Sequence, residues 1–514
     1  MMSYIKKICH LKKQENGKHE VTVLPIDGHE EYRKPLPVIN ISFIFCKKEE
    51  LFSATNIQII AEELNVDPKV VKEDLERVLR DTISNVLCCM EYPYVEEYYR
   101  DSYYSFYSRK HRNYNRNCFR VSFFKPEITE DNFLNANMEG KFLGYVVLRP
   151  TPKRIIGYTF LSPLIYQNNN YSVCLCKRTV SIMGRLLTNT GFPFCSQDGE
   201  MNQCAENAII ILFDYFSRRY NKYSRVLPSQ IANQVSNNLS NRNQPSIGLD
   251  MDTAAAIIEN MGMATRRYTK GETDNDNNQD HVLNTSDFDR ILQIYIESGL
   301  PVYACTSTHA FLMVGRENKF FCKGAKVVCM NDNEQPYFLR KSIEDVEEFI
   351  VPLAENILLD AELLNPDNTI SELQKIFSNI EFLSKEQEYY HRIFLTTSRS
   401  YKAYLTESSL SKENKSLAVC TAMPRFIWVC ESYQKKKIKD ELNLNEIDLI
   451  IVVDATDYAF GCNHLLTVKT NKKMIVPTTD KTRLQRKTYL VIDSTEKLKP
   501  FMRNLKGLHT SWQG

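Results

Sequence analysis

Alternating and helical runs of apolar residues divide the chain into three stretches. Over residues 1–185, HEVTVLPI, PVINISFIF, FRVSFF, FLGYVVLRP and IIGYTFL read as strands. Between them Val70, Val71, Leu75, Val78 and Leu79 recur at helical spacing, with Asp67 placed to cap and Pro68 in the first turn. In residues 186–352 a wide apolar helix face follows Cys204, and PVYA and AFLMVG read as strands. The polar run GETDNDNNQDHVLNTSD reads there as an exposed loop. Residues 353–514 predict helices at ENILLDAELL and ISELQKIFSNIEFL, then strands at LAVCTA, RFIWVCES, DLIIVVDAT, HLLTVKT and KTYLVID. The expectation is an α+β protein of three domains: 1–185 α+β, 186–352 central, and 353–514 an α/β or α+β accessory module.

Length fits this division, since 514 residues exceed one ordinary core. A net charge of +2 gives no electrostatic argument for a nucleic-acid or membrane partner. IQIIAEELNVDPKVVKEDLERVL has a helix-turn-helix outline, but its second helix is rich in Glu and Asp, which would repel phosphates, so ordinary helix packing is the reading. The Tyr/Arg mixture YPYVEEYYRDSYYSFYSRKHRNYNR reads as an amphipathic surface element covering a neighbouring domain. The longest apolar runs fall short of the roughly 20 residues that span a bilayer. Fifteen cysteines, an odd number scattered through apolar runs, with a start that turns polar at once, predict a reduced, cytoplasmic protein. Cys174/Cys176 and Cys462/His464 lack second pairs at zinc-finger spacing, so neither a metal nor a cofactor is expected.

Three segments carry candidate chemistry: NQCAENAIIILFDYF around Cys204, GLPVYACTSTHAFLMVG around His309 and VVCMNDNEQPY around Asp332. Cys204 falls at the start of a helix, where free N–H groups and the helix dipole favour a thiolate and can hold an oxyanion. His309, at a strand edge after a short polar turn, is the candidate base. Asp332 is the candidate orienter of its imidazole; Asn331 and Asn333 exchange roles with it if the register slips by one. Gln197, seven residues before Cys204, is the candidate oxyanion donor, with Gln203 and Asn202 also near. Each residue alone has an ordinary structural reading; their occurrence in this order and context is what points to thiol catalysis.

Together these segments resemble papain-fold cysteine peptidases of the bacteriocin-leader-processing type, over roughly residues 187–345. The matching pieces are Gln197, Cys204 and Ala208, the run IGLDMDTAAAIIENMGM, then Gly299, Pro301, Val302, His309 and Gly315, and the tail Asp332 to Tyr337. The resemblance implies a papain-like central domain, with a Cys-bearing helix packed on an antiparallel sheet carrying His and Asp. Cys204 would be nucleophile, His309 base, Asp332 orienter and Gln197 oxyanion donor. Ala205 stands where that family commonly has Gly, and 105 residues separate Cys204 from His309, partly through the 271–280 loop. Asn202, Cys204, Asn207 and Ala208 also fit the N-x-C-x-x-N-A/S box of ubiquitin-specific proteases.

The expected activity is a cysteine peptidase, or related thiol acyl-hydrolase, acting on a protein or peptide and regulated by its flanking domains or a protein partner. The alternatives are an inactive papain-fold binding module, or acyl transfer or deubiquitination through the same three residues.

Overall fold

The computed structural model describes residues 9–13, 19–23, 42–238, 249–271, 282–318, 326–384, 386–437, 446–457, 464–478 and 488–507. It is a mixed α+β protein with antiparallel sheets, 30% helix and 32% strand. The chain forms two compact units: Met1–Asn169, Leu175–Asp250 and Met330–Tyr337 make the first, and Asn170–Cys174, Met251–Cys329 and Phe338–Gly514 the second.

The first unit is built on a nine-stranded sheet. Cys9–Lys13, His19–Val23, Ser42–Lys47, Leu87–Tyr94, Cys118–Phe124, Phe142–Leu148 and Ile156–Leu161 follow one another as an antiparallel meander. Arg185–Phe194 and then Cys176–Ile182 complete it. Strands Cys118–Phe124, Phe142–Leu148 and Ile156–Leu161 are buried along their whole length, which explains their near-continuous apolar sequences. Helices α1 (Ala54–Leu64) and α2 (Pro68–Val78) follow the third strand. Asp67 caps α2 by accepting from the Lys69 N–H, and Val71, Leu75 and Val78 are buried. The Tyr/Arg segment forms α3 (Glu97–Ser105), whose Tyr98 and Tyr99 are buried inside this same unit.

Helix α4 (Cys204–Arg219) lies against strands Arg185–Phe194 and Cys176–Ile182. Every residue from Ala205 to Phe216 is buried, more than the one apolar face the sequence pattern predicts. The ring of Tyr215 stacks on Phe192 at 4.9 Å between centroids. Asp214 is tolerated because Arg218 binds it through two nitrogens at 2.8 and 2.9 Å, while the Tyr98 hydroxyl donates at 3.0 Å. Burial opposes its ionisation, yet the Arg218 guanidinium outweighs burial and holds its carboxyl below the ordinary range. Helix α5 (Pro228–Asn238) comes next in the chain.

In the second unit, α6 (Met251–Asn260) and α7 (Thr285–Glu297) accompany a sheet in the order Val282–Leu283, Ala264–Lys270, Glu348–Leu353, Val302–Cys305, Ala310–Glu317, Val327–Met330, Phe338–Arg340. Its first pair is parallel and the other pairs recorded in it are antiparallel. A second, six-stranded antiparallel meander runs Tyr389–Thr397, Phe426–Gln434, Leu449–Asp454, Leu465–Thr470, Lys473–Thr478, Thr488–Asp493. Its core gathers Phe394, Tyr401, Leu405, Val429, Val452 and Phe501.

Two readings of the C-terminal third change. ENILLDAELL yields only a 3-10 turn, Ala361–Leu363, and the helix begins beyond it as α8 (Pro366–Ile376), where Asn365 caps by accepting from the Asn368 N–H. LAVCTA is not a strand: α9 (Ser398–Glu407) is followed by α10 (Lys412–Cys420), started by Ser411 accepting from the Asn414 N–H. In both places a capping side chain decides the element where a short apolar run is ambiguous. Among the described residues no helix is long and apolar enough to cross a membrane. Residues 272–281, which hold most of the polar loop, and Cys462 lie outside the described residues.

Candidate active site

Cys204 is the first residue of α4 and is partly exposed, with Gln203 in the cap position. Its thiol therefore sits at the end of the helix where the backbone N–H groups lack intrahelical acceptors. The Gln203 N–H is instead bound by the Glu206 carboxylate at 3.0 Å. One turn after the cysteine, both polar atoms of the Asn207 amide are buried without a hydrogen-bond partner among the described residues. Such a group is costly unless something else serves it.

The loop before the helix is shaped by Asp198, which is buried. One of its carboxylate oxygens accepts from the backbone N–H groups of Glu200, Met201 and Asn202 at 2.9, 2.8 and 3.0 Å. Gly199, at φ +75°, makes the turn. Beneath it the buried Arg149 guanidinium donates to the Ser196 carbonyl and, at 3.7 Å, to the Cys195 sulfur. Burial works against the charge on Arg149, but the Asp198 carboxylate helps to outweigh it and raises the proton affinity of the guanidinium. The neighbouring Cys195 thiol, by contrast, is pushed up to about 12 by burial.

Asp332 belongs to the same unit as Cys204 and Gln197. Its Oδ2 accepts from the Gln197 backbone N–H at 3.1 Å, so these two predicted residues meet. The amide that meets Asp332 is main chain, not the Gln197 side chain proposed from sequence for the oxyanion. Asn331 turns inward on its own loop, its side-chain oxygen accepting from the Asn333 N–H at 2.9 Å.

Arg77, which the sequence reading did not single out, and Tyr337, matched there only as the end of the family-like tail, fix this loop. Arg77, on α2, donates to the carbonyls of Asp332 at 2.7 Å and Glu334 at 3.3 Å. It also binds Asp74 at 3.0 Å and Ser196 at 3.1 Å. Burial, partly offset by Asp74, lowers the proton affinity of Arg77. The Tyr337 hydroxyl, at the loop's far end, donates to the Leu161 carbonyl at 2.7 Å and accepts from the Phe192 N–H at 2.6 Å. Glycine is needed opposite: a Cβ on Gly191 would collide with the Leu161 carbonyl and lie 3.2 Å from the Tyr337 hydroxyl. The Asp198–Gly199 pair is a turn signal visible in the sequence; Arg77 has no such signal, because it looks like one more surface charge of a mixed helix.

His309 belongs to the second unit. It ends the tight turn between strands Val302–Cys305 and Ala310–Glu317, and its carbonyl accepts from the Thr306 N–H at 2.9 Å. Its ring stacks on Phe311 with centroids 6.1 Å apart.

No family model and no curated protein matches the chain. Among solved structures, the H. pylori beta clamp in complex with 5-chloroisatin aligns at 9% identity over 88% of this chain and 99% of that one, with a TM-score of 0.09. A likeness of that size carries no argument about fold or activity.

Proposed function

We propose that the protein is a cysteine peptidase or closely related thiol acyl-hydrolase acting on an amide bond of a protein or peptide, with a papain-like catalytic core. Cys204 is the nucleophile, His309 the base and Asp332 the orienter. The imidazole takes the thiol proton, the thiolate attacks the amide carbonyl, and the leaving amine receives that proton. Water then cleaves the thioester and restores the thiol.

One observation carries this reading. A partly exposed cysteine opens a buried helix, and the loop leading to it is joined to the candidate orienter by the Gln197–Asp332 hydrogen bond. The role of His309 rests on its place in the sequence and on the strand edge it occupies.

The second reading is a papain-fold module that binds a peptide without cleaving it. The Glu206 carboxylate favours it, because it occupies an N–H at the start of α4 that an oxyanion would otherwise use. A reactive ester separates the two. Brief exposure to p-nitrophenyl acetate, acid quench and peptide mass spectrometry should find the acetyl thioester on Cys204. Acetyl groups on exposed Cys420 and on lysines, with none on Cys204, would sink the hydrolase reading.

A further inference from the structure

The run RKHRNYNR, residues 109–116, follows α3 and carries Arg109, Lys110, Arg112 and Arg116 with no carboxylate among them. All four of these residues are exposed. The backbone beneath them is held firmly. A 3-10 turn spans Tyr107–Arg109, and the buried rings of Tyr107 and Tyr114 lie 4.7 Å apart between centroids. The Asn115 amide donates to the Glu63 carbonyl at 3.0 Å and to the Tyr92 hydroxyl at 2.8 Å.

Among the described residues none of the four cations forms an ion pair with a carboxylate. Lys110 lies over the Phe106 ring, 4.2 Å from its centroid. Arg112 lies 5.5 Å from the Tyr114 ring and donates to the Asn65 carbonyl at 2.7 Å. Arg100, with Arg116 beside it, lowers the proton affinity of the exposed Tyr104 hydroxyl. Rings, a carbonyl and a hydroxyl orient these side chains without neutralising them. The chain as a whole carries only +2, so the concentration of positive charge here is local.

The same segment borders the approach to Cys204, within one unit. The Tyr114 hydroxyl donates to the Glu200 carboxylate at 3.1 Å, and the Ser105 hydroxyl lies 3.9 Å from the Met201 sulfur. Glu200 and Met201 belong to the turn that Asp198 gathers just before α4. A single-stranded nucleic acid would need exposed rings on which bases stack, and Phe106, Tyr107 and Tyr114 are buried. Carboxylates of an extended polypeptide need only the exposed cations.

We propose that Arg109, Lys110, Arg112 and Arg116 bind an acidic stretch of a protein or peptide substrate beside Cys204. This assignment of substrate class rests on the hydrolase reading of Cys204.

The probe is fluorescein-labelled oligoglutamate, titrated into the full chain by fluorescence anisotropy, beside Gly/Ser peptide and oligothymidylate of equal length and label. Oligoglutamate should bind saturably, more tightly than either control, and weaken as salt is raised. Changing all four cations to Gln should weaken it by at least about tenfold, since one exposed pair contributes only a few-fold. If that variant does not fold, Arg109→Glu with Lys110→Glu removes no side-chain hydrogen bond seen among the described residues and should weaken binding by about fivefold or more. Circular dichroism and urea midpoints equal to wild type certify folding. Anisotropy needs no cleavage, so this result stands apart from whether Cys204 is a nucleophile. Equal affinity for the acidic and Gly/Ser peptides, tighter binding of oligothymidylate, or indifference to the folded variants would overturn the proposal.

Discussion

Replacing Cys204 by Ala is expected to lower amide hydrolysis by at least about 10⁴-fold, because removing the nucleophile of a catalytic set leaves only residual binding and oxyanion effects. The readout is the appearance of new N-termini in a complex peptide mixture, counted by mass spectrometry at matched protein concentration. Folding should be unaffected. Cys204 is only partly buried, and Ala is a strong helix former. Cys420→Ala, an exposed cysteine on α10, serves as the control and should keep the full rate. A Cys204→Ala protein retaining activity within about tenfold of wild type would contradict the assignment of the nucleophile.

Arg77→Met should destabilise the first unit by about 3–5 kcal/mol. Methionine keeps much of the volume of the stem but removes donors from Asp332, Glu334, Ser196 and Asp74 at once. Asp74 is not left wholly unserved, since the Ile155 N–H donates to it at 2.7 Å and Arg154 lies 3.6 Å away. Arg77→Lys should recover only part of the loss, because one ammonium cannot reach acceptors spread across a planar fork. Urea unfolding followed by circular dichroism measures both variants. A cost below about 1 kcal/mol for Arg77→Met would show that the loop around Asp332 is held by other means.

Where local chemistry decided an element, the sequence was readable. Asp67 and Pro68 start α2 as their types require, and the buried strands of the first sheet appear as apolar runs. The same is true of Cys204 at a helix start and of His309 at a strand edge. The sequence was ambiguous where a short apolar run could pack in either form, and LAVCTA became part of α10 once Ser411 capped it. Least legible were the long-range polar contacts. Nothing local to DLERVL marks Arg77 as a partner of a loop 255 residues away, nor does the spacing of Asp332 and Gln197 say that a backbone N–H joins them. The Tyr-rich segment shows the same limit: its composition fits a surface, yet Tyr98 reaches Asp214 inside the unit.

The central claim is that His309 activates Cys204, and the rate of Cys204 alkylation tests it most directly. Iodoacetamide labelling would be followed by mass spectrometry from about pH 5 to 9, in wild type and in His309→Ala, with exposed Cys420 as the internal reference. An ordinary thiol, with a pKa near 8.5, is almost wholly protonated at about pH 6 and reacts slowly there. The buried thiols Cys195 and Cys329 are pushed up to about 12 by burial and should stay silent. The account predicts that wild-type Cys204 at about pH 6 outpaces Cys420 by at least about tenfold, and that His309→Ala brings it down to the Cys420 rate. Equal rates for the two cysteines in wild type, unchanged in His309→Ala, would contradict it.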